Sequence, residues 1–408
     1  MYADLSAELK SLTASGLHRR LRRIDTLDGA WATVDGRRLL VMGSNNYLGL
    51  AAHPGVVAAA REAECRWGAG AGGSRLTTGN FALHEELEAA LAALKGTEAA
   101  LLFTSGYLAA TGTIPALVGR GDLILSDERN HACLIDGCRI SGAQIRVFRH
   151  GDVEHVRELL ADRSSYRRCL LVTDGVFSMD GDIAPLPALH RLCRDHDAWL
   201  MADDAHATGV LGPNGGGSAA HFGLPARDII HMGTLSKALG SQGGFIAGPS
   251  VLIDYLRNRA RSFIFDTALA PGPAGAAIAA LGIVRDEPER RARLQNNSRT
   301  LQEELAGSHP SPPEGRRSDR MNALPVLPPP FGRGSGVGAC VPIIPVIVGE
   351  PDAAVALAAR LEDRGIWAPA IRPPTVAPGT ARLRLSVTAA HTEEDVRQAA
   401  REIIAQWQ

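Results

Sequence analysis

Between about residues 50 and 285 the chain alternates short apolar runs with stretches whose apolar residues recur at helical spacing. The runs are Ala99–Thr104, Leu123–Ser126, Ile145–Phe148, Cys169–Thr173, Trp199–Ala202 and Ile229–Met232, each short and bounded by polar or turn residues, which reads as buried strands. Between them Phe81–Leu94 and Val153–Leu160 place apolar residues three or four apart, which predicts helices. Strands alternating with helices imply an α/β fold with a mainly parallel central sheet covered on both faces. Chemistry in such sheets gathers beyond the carboxyl ends of the strands.

The flanks read differently. Residues 1–23 are polar and charged, and Val34–Met42 reads as a hairpin turning at Asp35-Gly36. Val284–Leu305 is an arginine-rich helical stretch, and Ser308–Gly338 is rich in Pro, Gly, Ser and Arg, as a flexible loop is. Beyond it a strand (Val341–Val348), a helix (Pro351–Arg364), a strand (Arg382–Val387) and an amphipathic helix (Thr392–Trp407) make a smaller α+β domain. The expected organisation is an N-terminal segment (1–48), a large domain (49–285) and a C-terminal small domain (286–408) containing the 308–338 loop.

Composition narrows the function by exclusion. A formal net charge of -1 over 408 residues gives no basic field for nucleic acid or an anionic membrane. No apolar stretch reaches the length of a membrane span, and residues 1–23 lack the apolar core of a secretory signal. The six cysteines are scattered with no C-x-x-C pair, so neither a metal site nor a disulfide framework is expected, and reduced thiols fit a cytoplasmic protein.

Of the 43 basic residues three are lysine (Lys10, Lys95 and Lys237) and the other 40 are arginine. Lys10 lies in a polar stretch and Lys95 precedes Gly96 at a helix end, so both read as surface or capping charges. Lys237, in Thr234-Leu-Ser-Lys-Ala-Leu-Gly240, has no such explanation. Arginine keeps its proton at physiological pH, whereas a desolvated lysine amine can lose it and become a nucleophile. A chemical role for Lys237 is favoured.

Four further patterns carry candidate chemistry. Trp199-Leu-Met-Ala-Asp-Asp-Ala-His206 ends an apolar strand in two acids and a histidine, which suits a helix cap, part of a metal site, or a carboxylate holding a pyridine nitrogen protonated. Thr104-Ser-Gly-Tyr107 follows a strand and opens a helix, which offers backbone N–H groups to an anion or is an ordinary turn. Gly68-Ala-Gly-Ala-Gly-Gly-Ser-Arg75 follows a helical stretch rather than a strand, so a dinucleotide fingerprint is disfavoured and close approach to a ligand or subunit preferred. Arg372 and Arg384 flank a proline turn and could each grip a carboxylate, while Arg382 reads as lying on the solvent face of an edge strand.

Taken together, Ser44-Asn-Asn-Tyr-Leu-Gly49, Gly72-Gly-Ser-Arg75, Thr104-Ser-Gly-Tyr107, Asp174-Gly-Val-Phe-Ser-Met-Asp-Gly-Asp182, Asp203-Asp-Ala-His206, Thr234-x-x-Lys237, Ile371-Arg-Pro-Pro-Thr375 and Gly379-Thr-Ala-Arg-Leu-Arg384 resemble, in order, the α-oxoamine synthases. These are fold-type I enzymes dependent on pyridoxal 5'-phosphate (PLP). The resemblance implies that Lys237 is the Schiff-base lysine and later general base. It implies that Asp203 pairs with the pyridinium nitrogen, His206 bonds the ring hydroxyl, His131 stacks on the ring and Ser178 contacts it. Gly106, Tyr107 and Thr234 would hold the phosphate, with Thr267 contributed across a homodimer whose active site is shared. Arg384, with Asn45, would hold the amino-acid carboxylate, and Arg19 and Thr375 would contact the acyl substrate. The C-terminal motifs look most like the biotin-pathway member, which joins L-alanine to a pimeloyl thioester on CoA or a carrier protein and releases CO2. Relatives use glycine or serine with another acyl-CoA. Two positions depart from the pattern: Asn46 replaces an Asp, and Asp266 replaces a small hydroxyl beside the phosphate, where it is expected to point away.

Overall fold

The computed structural model describes residues 2–307 and 340–407, so the 308–338 loop lies outside the described residues. The chain begins with helix α1 (Ala3–Ala14) and strands β1 (Ile24–Asp28), β2 (Trp31–Val34) and β3 (Arg37–Val41). Helices α2 (Pro54–Trp67) and α3 (Ala82–Lys95) precede β4 (Ala99–Phe103), α4 (Gly106–Leu117), β5 (Leu123–Asp127) and α5 (Ala132–Ser141). The strands β6 (Gln144–Phe148), β7 (Cys169–Asp174), β8 (Trp199–Asp203), β9 (Ile229–Thr234) and β10 (Gly244–Gly248) follow. Beyond a long helix, Pro288–Gly307, come β11 (Ile343–Gly349), β12 (Ile366–Trp367), β13 (Ala370–Ile371) and β14 (Ala381–Ser386).

Contacts divide the chain into two compact units. The larger, Asn46–Ser178 with Asp182–Ala292, is built on a seven-stranded sheet of order β4-β10-β9-β8-β7-β5-β6. Six strands run parallel and β10 is antiparallel to both its neighbours. All six apolar runs read from the sequence are strands of this sheet. Alternation within them sorts side chains to two cores: Ile124 and Met201 face one, while Leu123, Leu125, Leu200 and Ala202 face the other. Both faces are therefore buried, as a parallel sheet requires. Strand β10 escaped the sequence reading because Gly-Phe-Ile-Ala-Gly is short and flanked by the glycines of the Lys237 segment.

The smaller unit comprises Met1–Asn45, Met179–Gly181 and Arg293–Gln408, so the N-terminal segment groups with the C-terminal one. The cause is strand pairing: β12 runs parallel to β3, making a sheet of order β1-β2-β3-β12, and Ser386 donates its N–H to the Met42 carbonyl at 2.6 Å. The β2–β3 hairpin turns at Asp35 and Gly36 as expected, with φ of 51° and 77°, the left-handed pair that matches the strand twist. A second sheet has the order β11-β14-β13, so β14 is central and wholly buried. Arg382 is therefore not on a solvent face. It is 6% exposed and ion-paired with Asp180, because a central strand offers no edge.

Candidate active site

Each parallel strand of the larger unit ends in, or just before, a polar residue, and the register aligns these ends. Thr104 follows β4, Thr234 closes β9, Asp203 closes β8, Asp174 closes β7 and Asp127 closes β5. Asp174 and Asp203 are directly paired neighbours.

Lys237 lies in a loop after β9 that is closed by backbone bonds from Leu235 N–H to the Gly243 carbonyl (3.0 Å) and from Ser241 N–H to the Leu235 carbonyl (2.9 Å). Its Nζ stands 2.9 Å from His206 Nε2, and His206 Nδ1 is 2.6 Å from the Tyr47 hydroxyl. Tyr47 and His206 are buried. The amine thus ends a hydrogen-bonded line of three side chains, in a place where a proton can be handed on.

Asp203 is 3% exposed. Its Oδ1 accepts the Ala205 N–H at 2.9 Å, and its Oδ2 receives the weak Cys133 thiol donor at 3.8 Å. Burial raises its pKa above the usual carboxylate range, against the pull of the Lys237 charge. Asp174 is raised further, by burial and then by Asp203, and its Oδ2 accepts the His131 N–H at 3.0 Å. Two adjacent buried acids with modest donors are a setting that a cationic N–H donor would stabilise.

His131 caps α5: its Nδ1 accepts the Cys133 N–H at 3.2 Å. With Nδ1 an acceptor, the neutral ring carries its proton on Nε2. Desolvation holds the His131 pKa below its ordinary value, outweighing attraction to Asp203, although the residue sits at an exposed rim. Ser178 is half-buried beyond β7, in the turn closed by the Val176–Ile183 bridge.

Gly106 and Tyr107 open α4, and Ser105 caps it by accepting the Leu108 N–H at 3.1 Å. First-turn N–H groups of a helix are ready donors to an anion. Thr234 flanks this turn, since a Cβ on Gly106 would lie 3.4 Å from the Thr234 Cβ, and its hydroxyl donates to the Gly243 carbonyl at 2.8 Å. The Tyr107 phenol is exposed and donates to Asp136. Thr267 is exposed, and the next residue, Ala268, donates its N–H to the Gly73 carbonyl at 3.0 Å, tying this segment to the glycine loop. The Asp266 carboxylate accepts the hydroxyl of Thr104, just past the end of β4.

In the smaller unit, Arg384 on β14 donates to Asn45 Oδ1 at 3.2 Å and to the Ser386 hydroxyl at 2.9 Å, so the structure brings Arg384 and Asn45 together. Thr375 and Arg19 are exposed. Arg372, the alternative carboxylate grip, donates to the Gly16 carbonyl instead.

Sequence reasoning assigned no role to Tyr47, Asp174 or Cys133, and it misplaced Lys95. Asp174 had a usable signal, an acid closing an apolar strand as Asp203 does. Tyr47 and Cys133 had none, since their partners come from other elements. Lys95 is not at the surface: its side chain is fully buried and its Nζ lies 2.7 Å from Asp204 Oδ2. A helix end beside a glycine looks solvated in one dimension, but here its lysine reaches an acid just past the end of β8. Among the described residues no group of three or more His, Cys, Asp or Glu is arranged to hold a metal, and no helix is long and apolar enough to cross a membrane.

Residues 37–403 match the family model for aminotransferase class I and II. The chain belongs to that family. Its fold is that of the PLP-dependent aminotransferases, in agreement with the fold type and the α-oxoamine synthase resemblance read from the motifs. Among curated proteins of this family, the 8-amino-7-oxononanoate synthase of Aromatoleum aromaticum is 46% identical over 396 residues, covering 97% of this chain and 96% of that one. The protein of the same description from Methylobacterium sp. is 47% identical over 395 residues, covering 97% and 94%. Among solved structures of the family, a serine palmitoyltransferase from S. paucimobilis with bound PLP and myriocin is 30% identical with a TM-score of 0.89, covering 99% of this chain and 97% of that one.

Proposed function

We propose that this aminotransferase-family chain is an 8-amino-7-oxononanoate synthase, a PLP-dependent acyltransferase of biotin biosynthesis that condenses L-alanine with a pimeloyl thioester, on CoA or carrier protein, and releases CO2 and the free thiol. The observation that carries the reading is the Lys237 amine 2.9 Å from His206 Nε2, at the strand edge where Asp203 is buried without a strong donor to its Oδ2 among the described residues. That donor set fits PLP: an amine to tether it, an acid for its ring nitrogen and helix N–H groups for its phosphate.

When bound, PLP supplies an electron sink for the charge left on the α-carbon of alanine. Asp203 would hold the pyridinium, His206 the ring hydroxyl, His131 the ring face and Ser178 the ring region. Gly106, Tyr107 and Thr234, with the partner subunit's Thr267, would hold the phosphate in a homodimer. Arg384 and Asn45 would orient the alanine carboxylate, since a guanidinium matches a carboxylate bidentately. Arg19 and Thr375 would meet the acyl substrate. The Lys237 amine takes the α-proton of alanine and later returns a proton to the product. His206 and Tyr47 hold that amine in line while it does so, and holding both reactants together supplies much of the acceleration.

Reconstitution with PLP should produce a visible absorption band that Lys237→Ala removes. A panel of alanine, glycine and serine against acyl-CoAs of increasing length should then give the highest kcat/KM for alanine with pimeloyl-CoA. A preference for glycine or serine with a different acyl chain would replace this substrate assignment with that of a related α-oxoamine synthase.

A further inference from the structure

One of the chain's three lysines sits deep in the larger unit, where the proposed reaction gives it nothing to do. Lys95 and Asp204 are both fully buried and 2.7 Å apart. Ser218 completes the cluster: its hydroxyl donates to Asp204 Oδ1, and its N–H reaches both carboxylate oxygens at 3.2 and 3.3 Å. The fit is tight. Gly217 has φ of 106°, and a Cβ there would fall 2.1 Å from Asp204 Oδ2 and 2.6 Å from Lys95 Nζ. Only glycine permits this backbone to pass.

Stability alone is a poor reason for such a pair, because desolvating two charges costs about as much as their attraction returns, and apolar replacement is often neutral or stabilising. The backbone of Asp204 points to another reason. Its N–H donates to the Met232 carbonyl at 2.8 Å, continuing the ladder to β9. Its carbonyl accepts the N–H groups of Ala207 (2.9 Å) and Thr208 (2.8 Å), so the turn carrying His206 is hung from this residue. Asp203, one position earlier, accepts the Ala205 N–H of the same turn. Alternation sends consecutive side chains to opposite sides of a strand, so Asp204 is gripped on one side while Asp203 is presented on the other.

We propose that Lys95, Asp204 and Ser218 form a buried platform that positions Asp203 and His206 for the Lys237 amine. They are positioning residues. Their task is to fix the end of β8 to within the few tenths of an ångström that the 2.9 Å His206–Lys237 contact tolerates. Such a role presupposes the PLP chemistry proposed above.

The test uses the PLP-loaded full chain and the Lys95→Met/Asp204→Asn double variant, which removes both charges at similar volume and keeps an acceptor for Ser218. The platform predicts a thermal midpoint within a few degrees of wild type, kcat for alanine with pimeloyl-CoA lower by about tenfold or more, and KM within about threefold. It also predicts that the pH midpoint of the bound cofactor's visible absorbance moves by about half a unit or more, since the hydrogen bond to the Lys237 amine is disturbed. A stably folded double variant with unchanged kcat and unchanged midpoint overturns the role. Should the double variant fail to fold, Ser218→Ala removes a single donor to Asp204 and is expected to shift the same two readouts by a smaller amount, about twofold in kcat. No shift in either overturns the role as well. Wild-type protein lacking both band and turnover would sink the PLP reading and the platform together, whereas an unchanged variant sinks the platform alone.

Discussion

The end of β8 in the larger unit and strand β14 in the smaller each carry two like charges close together, Asp203 with Asp204 and Arg382 with Arg384. In both, one charge is taken up by an ion pair: Asp204 by Lys95, fully buried, and Arg382 by Asp180, partly buried. Of the other members, Asp203 meets a backbone N–H and a thiol, and Arg384 donates to the Asn45 side chain and the Ser386 hydroxyl. Spacing differs, adjacent in one case and alternate in the other, yet in both one member is held by an ion pair. Which member is spent on structure is decided by a partner 109 residues away for Asp204 and 202 residues away for Arg382. Nothing in the local pattern carries that information.

The sharpest way to break the comparison is to neutralise both aspartates separately. Asp203→Asn should lower kcat by about 10²–10³-fold with the thermal midpoint little changed, because it removes a charge aimed at the reacting system. Asp204→Asn should instead cost about 3–5 kcal/mol in denaturant unfolding, since it strands the buried Lys95 charge. If the two variants behave alike, the comparison fails. The arginines give the next largest contrast. Arg384→Met should raise KM for the amino acid by about 10- to 100-fold, the worth of a charged hydrogen bond, while Arg382→Met should leave KM alone and lower the unfolding midpoint.

A third pair sharpens the comparison through pH. Asp127 and Asp182 share His150, at 3.0 Å from Nδ1 and 2.9 Å from Nε2. Burial pulls the His150 pKa down, but bonds to the two carboxylates prevail and push it up to about 9. A raised folded-state pKa means that this stabilisation is complete below the unfolded value of about 6.5 and is lost as pH rises through about 9. The unfolding free energy from urea titration should therefore fall across that window, by a few kcal/mol at most, and His150→Gln should flatten the decline. A smaller effect is expected of Tyr47→Phe, which removes one hydrogen bond to His206 and should lower kcat by about fivefold, read in steady-state turnover.

Much of this was legible in one dimension. Buried parallel strands are continuous apolar runs, so all six were visible, and their ends pointed to Asp203, Thr234 and the Ser105-Gly106 turn without further knowledge. Lys237 stood out because arginine does nearly all other cationic work. Long-range partners were not legible. Lys95 resembled a solvated helix end because its burial depends on Asp204 and on the missing side chain of Gly217. Arg382 resembled an edge residue because β14 is flanked by the short β13, two residues that pattern reading passes over. Tyr47 was inside a quoted motif, yet its bond to His206 spans 159 residues.

The scarcity of lysine also has a practical side. With Lys95 sealed in the interior and Lys237 taken up in the proposed role, Lys10 on α1 is the lysine whose side chain is left exposed to an acylating dye or an activated resin. A lysine-directed reagent would therefore mark or tether the protein mainly through that one helix.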